Sequence, residues 1–122
     1  MKFAKWVFLI AGIYGILAVA PMYFSENQIG RDYPPAITHP EYFYGFAGVT
    51  LAWQIAFLVI ASNPSRFRLM MLPAMVEKLS YGAAILFLYS QQRVAPIAMG
   101  FAAVDLVLGV LFVLAFLRTP PN

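Results

Sequence analysis

The sequence predicts an all-α integral membrane protein, a four-helix bundle running up-down-up-down with both termini on one side. Three observations carry that prediction. Of 122 residues, 62% are hydrophobic and only 11% are charged, a balance that a soluble domain of this length could not solvate. The apolar residues fall into four continuous stretches, 3–24, 42–61, 69–90 and 94–117, each near the ~20 residues a helix needs to cross ~30 Å of hydrocarbon. The runs are continuous and do not alternate, which excludes a β-barrel. So little chain remains outside them that residues 1–122 read as a single four-span membrane domain.

The first span follows Lys2 and Lys5 and runs to Phe24. Its beginning imitates a secretory signal with "AVA" at 18–20, but Pro21 follows that motif directly and apolar character continues through Met22, Tyr23 and Phe24, which favours a retained span. The stretch "SENQIGRDYPPAITHP" is the only long polar segment. It ends as a helix start, with Thr38 and Glu41 at capping-box spacing and Pro40 in the first turn. That places His39 in the cap region, with a pH-sensitive outer gate as its functional alternative.

Along the second span, Gly45, Gly48, Ala52 and Ala56 form a ridge of small residues, and Gly12 with Gly15 and Gly100 with Gly109 mark further expected close contacts. "SNPSR" at 62–66 ends that span, with Ser65 available as a cap. The third span starts at Leu69 or at Pro73, two registers that place Glu77 at different depths. "QQRVAP" at 91–96 is a tight turn with Pro96 opening the fourth span. Such short connections make spans two, three and four antiparallel neighbours in a compact bundle.

Charge sets the orientation. Lys2, Lys5, Arg66, Arg68 and Arg118 fall on one side and only Arg31 and Arg93 on the other, so the positive-inside bias puts both termini in the cytoplasm of a multi-pass cell-membrane protein. Trp6 and Phe67 suit the inner interface, and Tyr23, Tyr33, Tyr42, Tyr44 and Tyr89 the outer one. The net charge of +3 is therefore topological and implies no nucleic acid. With no cysteine and one histidine, thiol chemistry and thiolate-bound metal are excluded and bis-histidine haem within one subunit is disfavoured. The expectation is no metal and no cofactor.

The polar residues inside the spans carry the functional interest. If the third span starts at Leu69, Glu77 lies about 12 Å deep by helical rise. Glu77 and Lys78 are consecutive, about 100° apart around a helix, and so face different surroundings. Glu77 shares a face with Ala74, Tyr81 and Ala84, taken as inward, while Lys78 lies on the neighbouring face with its stem reaching towards the headgroups. Asp105 falls near mid-span, where an acid costs about 2.5–3.5 kcal/mol and faces a partner in the bundle interior or stays protonated. A hairpin folded about Arg93 sets Asp105 across from Tyr81 and Gly109 across from Glu77. Gln54, Glu77, Tyr81 and Asp105 form the candidate cluster for ligand binding or proton exchange, with Thr50 and Tyr14 as further members and Lys78 as counter-ion.

The layout, with the segment "R-x-R…P-A-M-V-E-K-L-S-Y-G" from Arg66 to Gly82, resembles the DoxX-like group of small bacterial membrane proteins. That resemblance implies a four-helix membrane bundle and carries no catalytic motif. In length and span count the chain also looks similar to the small multidrug resistance transporters, but their acid lies in the first span, which has none here.

Three functions fit. The first is a scaffold or subunit whose polar cluster fixes helix register. The second is a proton-linked binder or transporter of a small lipophilic or cationic molecule using Asp105 and Glu77, with transport calling for a homo-oligomer. The third is a membrane-embedded lipid-modifying enzyme using the same two carboxyls as acid and base. It ranks last, since no nucleophile, metal or phosphate-binding pattern accompanies them and no catalytic residue can be assigned. The partners implied are the bilayer, a second copy of the chain and the small ligand.

Overall fold

A computed structural model describes residues 2–121, and these are all-helical with no strand among them. Helix α1 (Lys2–Val19) runs into a 3-10 turn at Ala20–Phe24, and a short helix α2 (Glu26–Asp32) follows. Then come α3 (Pro40–Ser62), a 3-10 turn at Arg68–Met70, α4 (Met71–Ser90) and α5 (Ile97–Arg118). Four helical segments, Lys2–Phe24, Pro40–Ser62, Arg68–Ser90 and Ile97–Arg118, are 22 or 23 residues long and apolar enough to cross a membrane. Their outward side chains agree: Leu17, Val49, Phe87 and Leu117 are 71, 63, 64 and 69% exposed, a surface that water would penalise and acyl chains would not.

Proline chemistry explains most boundaries. Pro21 cannot donate to the α-helical ladder, so α1 tightens into its 3-10 turn there, and the Ser25 hydroxyl donates to the Pro21 carbonyl at 2.7 Å. Pro40 is the first residue of α3 and His39 its N-cap, with the His39 carbonyl accepting the Tyr42 and Phe43 amides at 3.0 and 3.1 Å. The expected capping box does not form, because Thr38 stands one residue too early. Glu41 instead accepts from the exposed His39 ring at 3.2 Å. Pro73 occupies the first turn of α4, where a missing N–H costs nothing, so the helix begins before Pro73, at Met71 after the 3-10 turn Arg68–Met70. At the other end of α4, Gln92 adopts a left-handed φ of 58° and the Arg93 amide returns to the Leu88 carbonyl at 2.9 Å, closing the helix. Residues 94–96 remain in that turn, so α5 starts at Ile97 and not at Val94. The polar loop is not featureless either. It contains α2, tied to α3 by the Tyr44 hydroxyl donating to Glu26 Oε1 at 2.9 Å.

Packing corrects one expectation with consequences for the site. α1 lies along α3, α4 along α5, and α1 also meets α5, but α3 and α4 barely touch despite their short link. The core concentrates at the end bearing the termini. There Phe8, Phe57 and Phe112 are fully buried, with ring centroids 4.2 Å apart for Phe8–Phe112 and 5.0 Å for Phe57–Phe112. Ala4, Ala11, Ile60, Ala61, Met71, Ala74 and Ala115 belong to the same buried cluster. The same end is closed by Arg68, whose Nε donates to the Thr119 carbonyl at 2.8 Å while its guanidinium lies 3.8 Å from the Phe116 ring centroid.

The small residues divide in the same way. A methyl at Gly82 would come within 2.5 Å of Leu106 Cγ and one at Gly109 within 2.5 Å of Leu79 Cδ2, so the α4–α5 seam needs both glycines. The α3 ridge is not such a seam. Gly45 faces open space and Ala52 is exposed, and Gly100 on α5 also has nothing near it.

Candidate binding cleft

Because α4 leans on α5 and not on α3, its inward face runs through Met71, Ala74, Lys78, Gly82 and Ile85, all buried. That face is rotated by one residue from the one expected. Lys78 therefore does not reach out to the headgroup level: it is 3% exposed, with its ammonium 5.3 Å from the Phe57 ring centroid. The ammonium donates to Asp105 Oδ1 on α5 at 3.5 Å. Asp105 thus points at protein, its side chain 16% exposed. Its partner is Lys78 and not Tyr81, although the hairpin register is close to the expected one. Gly109 meets Leu79 and Lys78 Cβ in place of Glu77.

Glu77, one residue earlier, faces the gap towards α3. The Lys78 ammonium approaches Glu77 Oε2 to 3.9 Å without a hydrogen bond, as expected for side chains leaving adjacent positions of one helix. The Gln54 amide donates to Glu77 Oε1 at 3.5 Å and to the Thr50 carbonyl at 2.9 Å. These two acceptors fix the amide orientation, and Gln54 reaches them only because Gly15 on α1 offers no Cβ: one built there would overlap the Gln54 side chain. Among the described residues, no hydrogen-bond donor reaches the buried oxygens Gln54 Oε1 and Glu77 Oε2.

Above this polar floor is a cavity of about 780 Å³, within the size range of small-molecule sites. Tyr14, Thr50, Gln54, Glu77, Lys78, Tyr81 and Asp105 all line it, so the polar residues singled out in the spans come together. The cavity lies where α3 and α4 part. Phe46, Val49 and Val76 are at once lining residues and 45, 63 and 65% exposed, which marks a mouth on the outer surface of the bundle. His39 is not among the lining residues.

The aromatic wall was not anticipated. Phe46, Trp53 and Phe101 join Tyr14 and Tyr81 around the cavity, with the Phe46 and Tyr81 rings 6.3 Å apart across the mouth. Helical spacing held the signal: Phe46, Thr50 and Trp53 recur at i, i+4 and i+7, and Phe101 precedes Asp105 by four.

The floor carries two carboxyl groups and one ammonium. Ionised throughout, it holds one surplus negative charge in an apolar, aromatic-lined space, and a single proton or monovalent cation balances it. No group of three or more metal-ligating His, Cys, Asp or Glu side chains exists among the described residues. The chain matches no family model, no curated protein and no solved structure.

Proposed function

We propose that this is a multi-pass membrane protein, termini cytoplasmic, that binds a small lipophilic cation in the α3–α4 cleft in exchange for a proton. The observation that carries the reading is the convergence of Glu77, Lys78 and Asp105 under an aromatic-lined cavity of about 780 Å³. The unbalanced charge selects a cation, the rings favour its face-on approach, and the apolar lips admit a molecule dissolved in the bilayer. In this reading the five basic residues at the terminal end face the anionic leaflet.

Trp53 reports on the cavity directly. In Trp6→Phe protein in lipid nanodiscs, where Trp53 is the remaining tryptophan of two, tetraphenylphosphonium and 4-phenylbutylammonium are titrated against its fluorescence. Saturable quenching by either probe, lost when Ala84→Phe fills the cavity without adding a second indole, is the expected result, Ala84 being a lining residue. Quenching by neither overturns the reading.

A packing or subunit role is the second reading. It is favoured by the way the Gln54 side chain seats on Gly15 and Lys78 bridges to Asp105, both contacts joining different helices. Under it, Asp105→Asn lowers stability and neither probe binds.

A further inference from the structure

The two carboxyls of the cleft are not equivalent. Asp105 accepts a hydrogen bond from the Lys78 ammonium at 3.5 Å, and that ammonium lies 5.3 Å from the Phe57 ring centroid. Glu77 accepts the Gln54 amide on Oε1 at 3.5 Å, and its Oε2, 3.9 Å from the same ammonium, accepts no hydrogen bond from any of the described residues. Asp105 and Lys78 are thus the closer pair, and the surplus negative charge is assigned to Glu77, whose side chain, 15% exposed, lines the cavity floor.

Resting on the cation-binding reading above, we infer that Glu77 is the exchange carboxyl and that the ligand is a protonated primary or secondary amine, whose N–H groups supply the donor Glu77 Oε2 lacks. The acceptor chemistry sets that class. A buried carboxylate oxygen without a donor forfeits a charge-assisted hydrogen bond. A quaternary ammonium restores charge balance but has no N–H and leaves the oxygen as it was. The aromatic wall acts the other way, because rings bind alkylated cations well, so the ranking of the two cation types discriminates between wall and floor. Gln54 cannot substitute as donor, since its amide is oriented by the Thr50 carbonyl and Glu77 Oε1. The ligand's charge sits about where the exchanged proton sat.

The test compares 4-phenylbutylammonium with its N,N,N-trimethyl counterpart, which shares the skeleton and the charge, by Trp53 fluorescence in the Trp6→Phe chain in nanodiscs. The primary amine is expected to bind at least about tenfold more tightly, the size of one recovered hydrogen bond to a charged group. In Glu77→Gln the two affinities are expected to converge to within about threefold. Should that variant not fold, Glu77→Asp keeps the charge, shortens its reach and lowers the preference by at least about threefold. Equal or tighter binding of the trimethyl compound overturns the inference while leaving the cation site standing, as does an undiminished preference in whichever Glu77 variant folds. Binding of neither compound overturns the site itself.

Discussion

The Lys78 ammonium and the Asp105 carboxylate face each other at 3.5 Å across the α4–α5 contact, with the lysine 3% exposed. Removing one member of a buried pair usually costs about 3–5 kcal/mol, because the other charge stays buried alone. Here the cost should be smaller, since Glu77 Oε2 lies 3.9 Å from the same ammonium and can take over part of the role. Asp105→Leu is expected to lose about 2 kcal/mol, and Lys78→Met combined with Asp105→Leu to recover at least about 1 kcal/mol of the summed single losses. Unfolding of the four proteins of that cycle in mixed micelles measures the coupling. Strictly additive losses would show that the two groups do not interact.

Gly15 makes a second prediction because the Gln54 side chain occupies the space a Cβ would take. Gly15→Ala must push Gln54 off Glu77 and Thr50 or spread α1 from α3, at about 2 kcal/mol, the usual range for overpacking. Gly45→Ala meets open space, and the gain in helix propensity makes it neutral or stabilising by up to about 1 kcal/mol. Thermal unfolding of the two variants in one detergent gives the comparison, and equal effects would contradict the placement of Gln54.

How much of this was legible in the sequence follows from what each residue depends on. The four long helices need only apolar length, and all four appear within a few residues of their expected bounds. The polar cluster was visible because Asp105 and Glu77 are expensive wherever they stand in a span. What sequence could not supply was which helices touch. Short loops suggested that α3 and α4 pack together, but close packing is set by small residues meeting large ones, and those pairs are Gly82 with Leu106 and Gly109 with Leu79 on α4–α5, and Gly12 with Leu58 on α1–α3. The gap between α3 and α4 accompanies an inward Lys78, a Glu77 that faces α3 across the gap, and the cavity between the two helices. Helix α2 was missed because its seven residues, with Gly30 among them, carry no periodic apolar signal.

Cation binding should depend on pH in a definite direction. A proton and a cation compete for one surplus negative charge, so at low pH the site is neutralised and cation affinity falls. As pH rises the proton leaves and affinity climbs to a plateau, with a slope of at most about tenfold per pH unit for one exchanged proton. Tetraphenylphosphonium suits this test because its own charge does not titrate. In Glu77→Gln the pH dependence is expected to flatten, since Lys78 and Asp105 alone balance. Phosphonium affinity that stays constant or rises on acidification would exclude proton exchange at this site.

Arg68 connects the start of the third apolar segment to the end of the fourth, and its loss tests how the closed end supports the open cleft. Its Nε donates to the Thr119 carbonyl at 2.8 Å and its guanidinium stacks 3.8 Å from the Phe116 centroid. Thr119 is 2% exposed, so its carbonyl would find little water if abandoned. A hydrogen bond from a charged donor contributes about 1.5–3 kcal/mol and a cation–π contact at least about 0.5–1 kcal/mol, but hydration of the arginine in the unfolded chain offsets part of both. Arg68→Ala should therefore destabilise by about 2 kcal/mol. Arg68→Lys should recover less than half of that, since an ammonium cannot stack flat on Phe116 while donating sideways to Thr119. If Lys restored full stability, simple positive charge at the terminal end would be sufficient. The planar contact would then contribute nothing to holding α4 against α5 below the cleft.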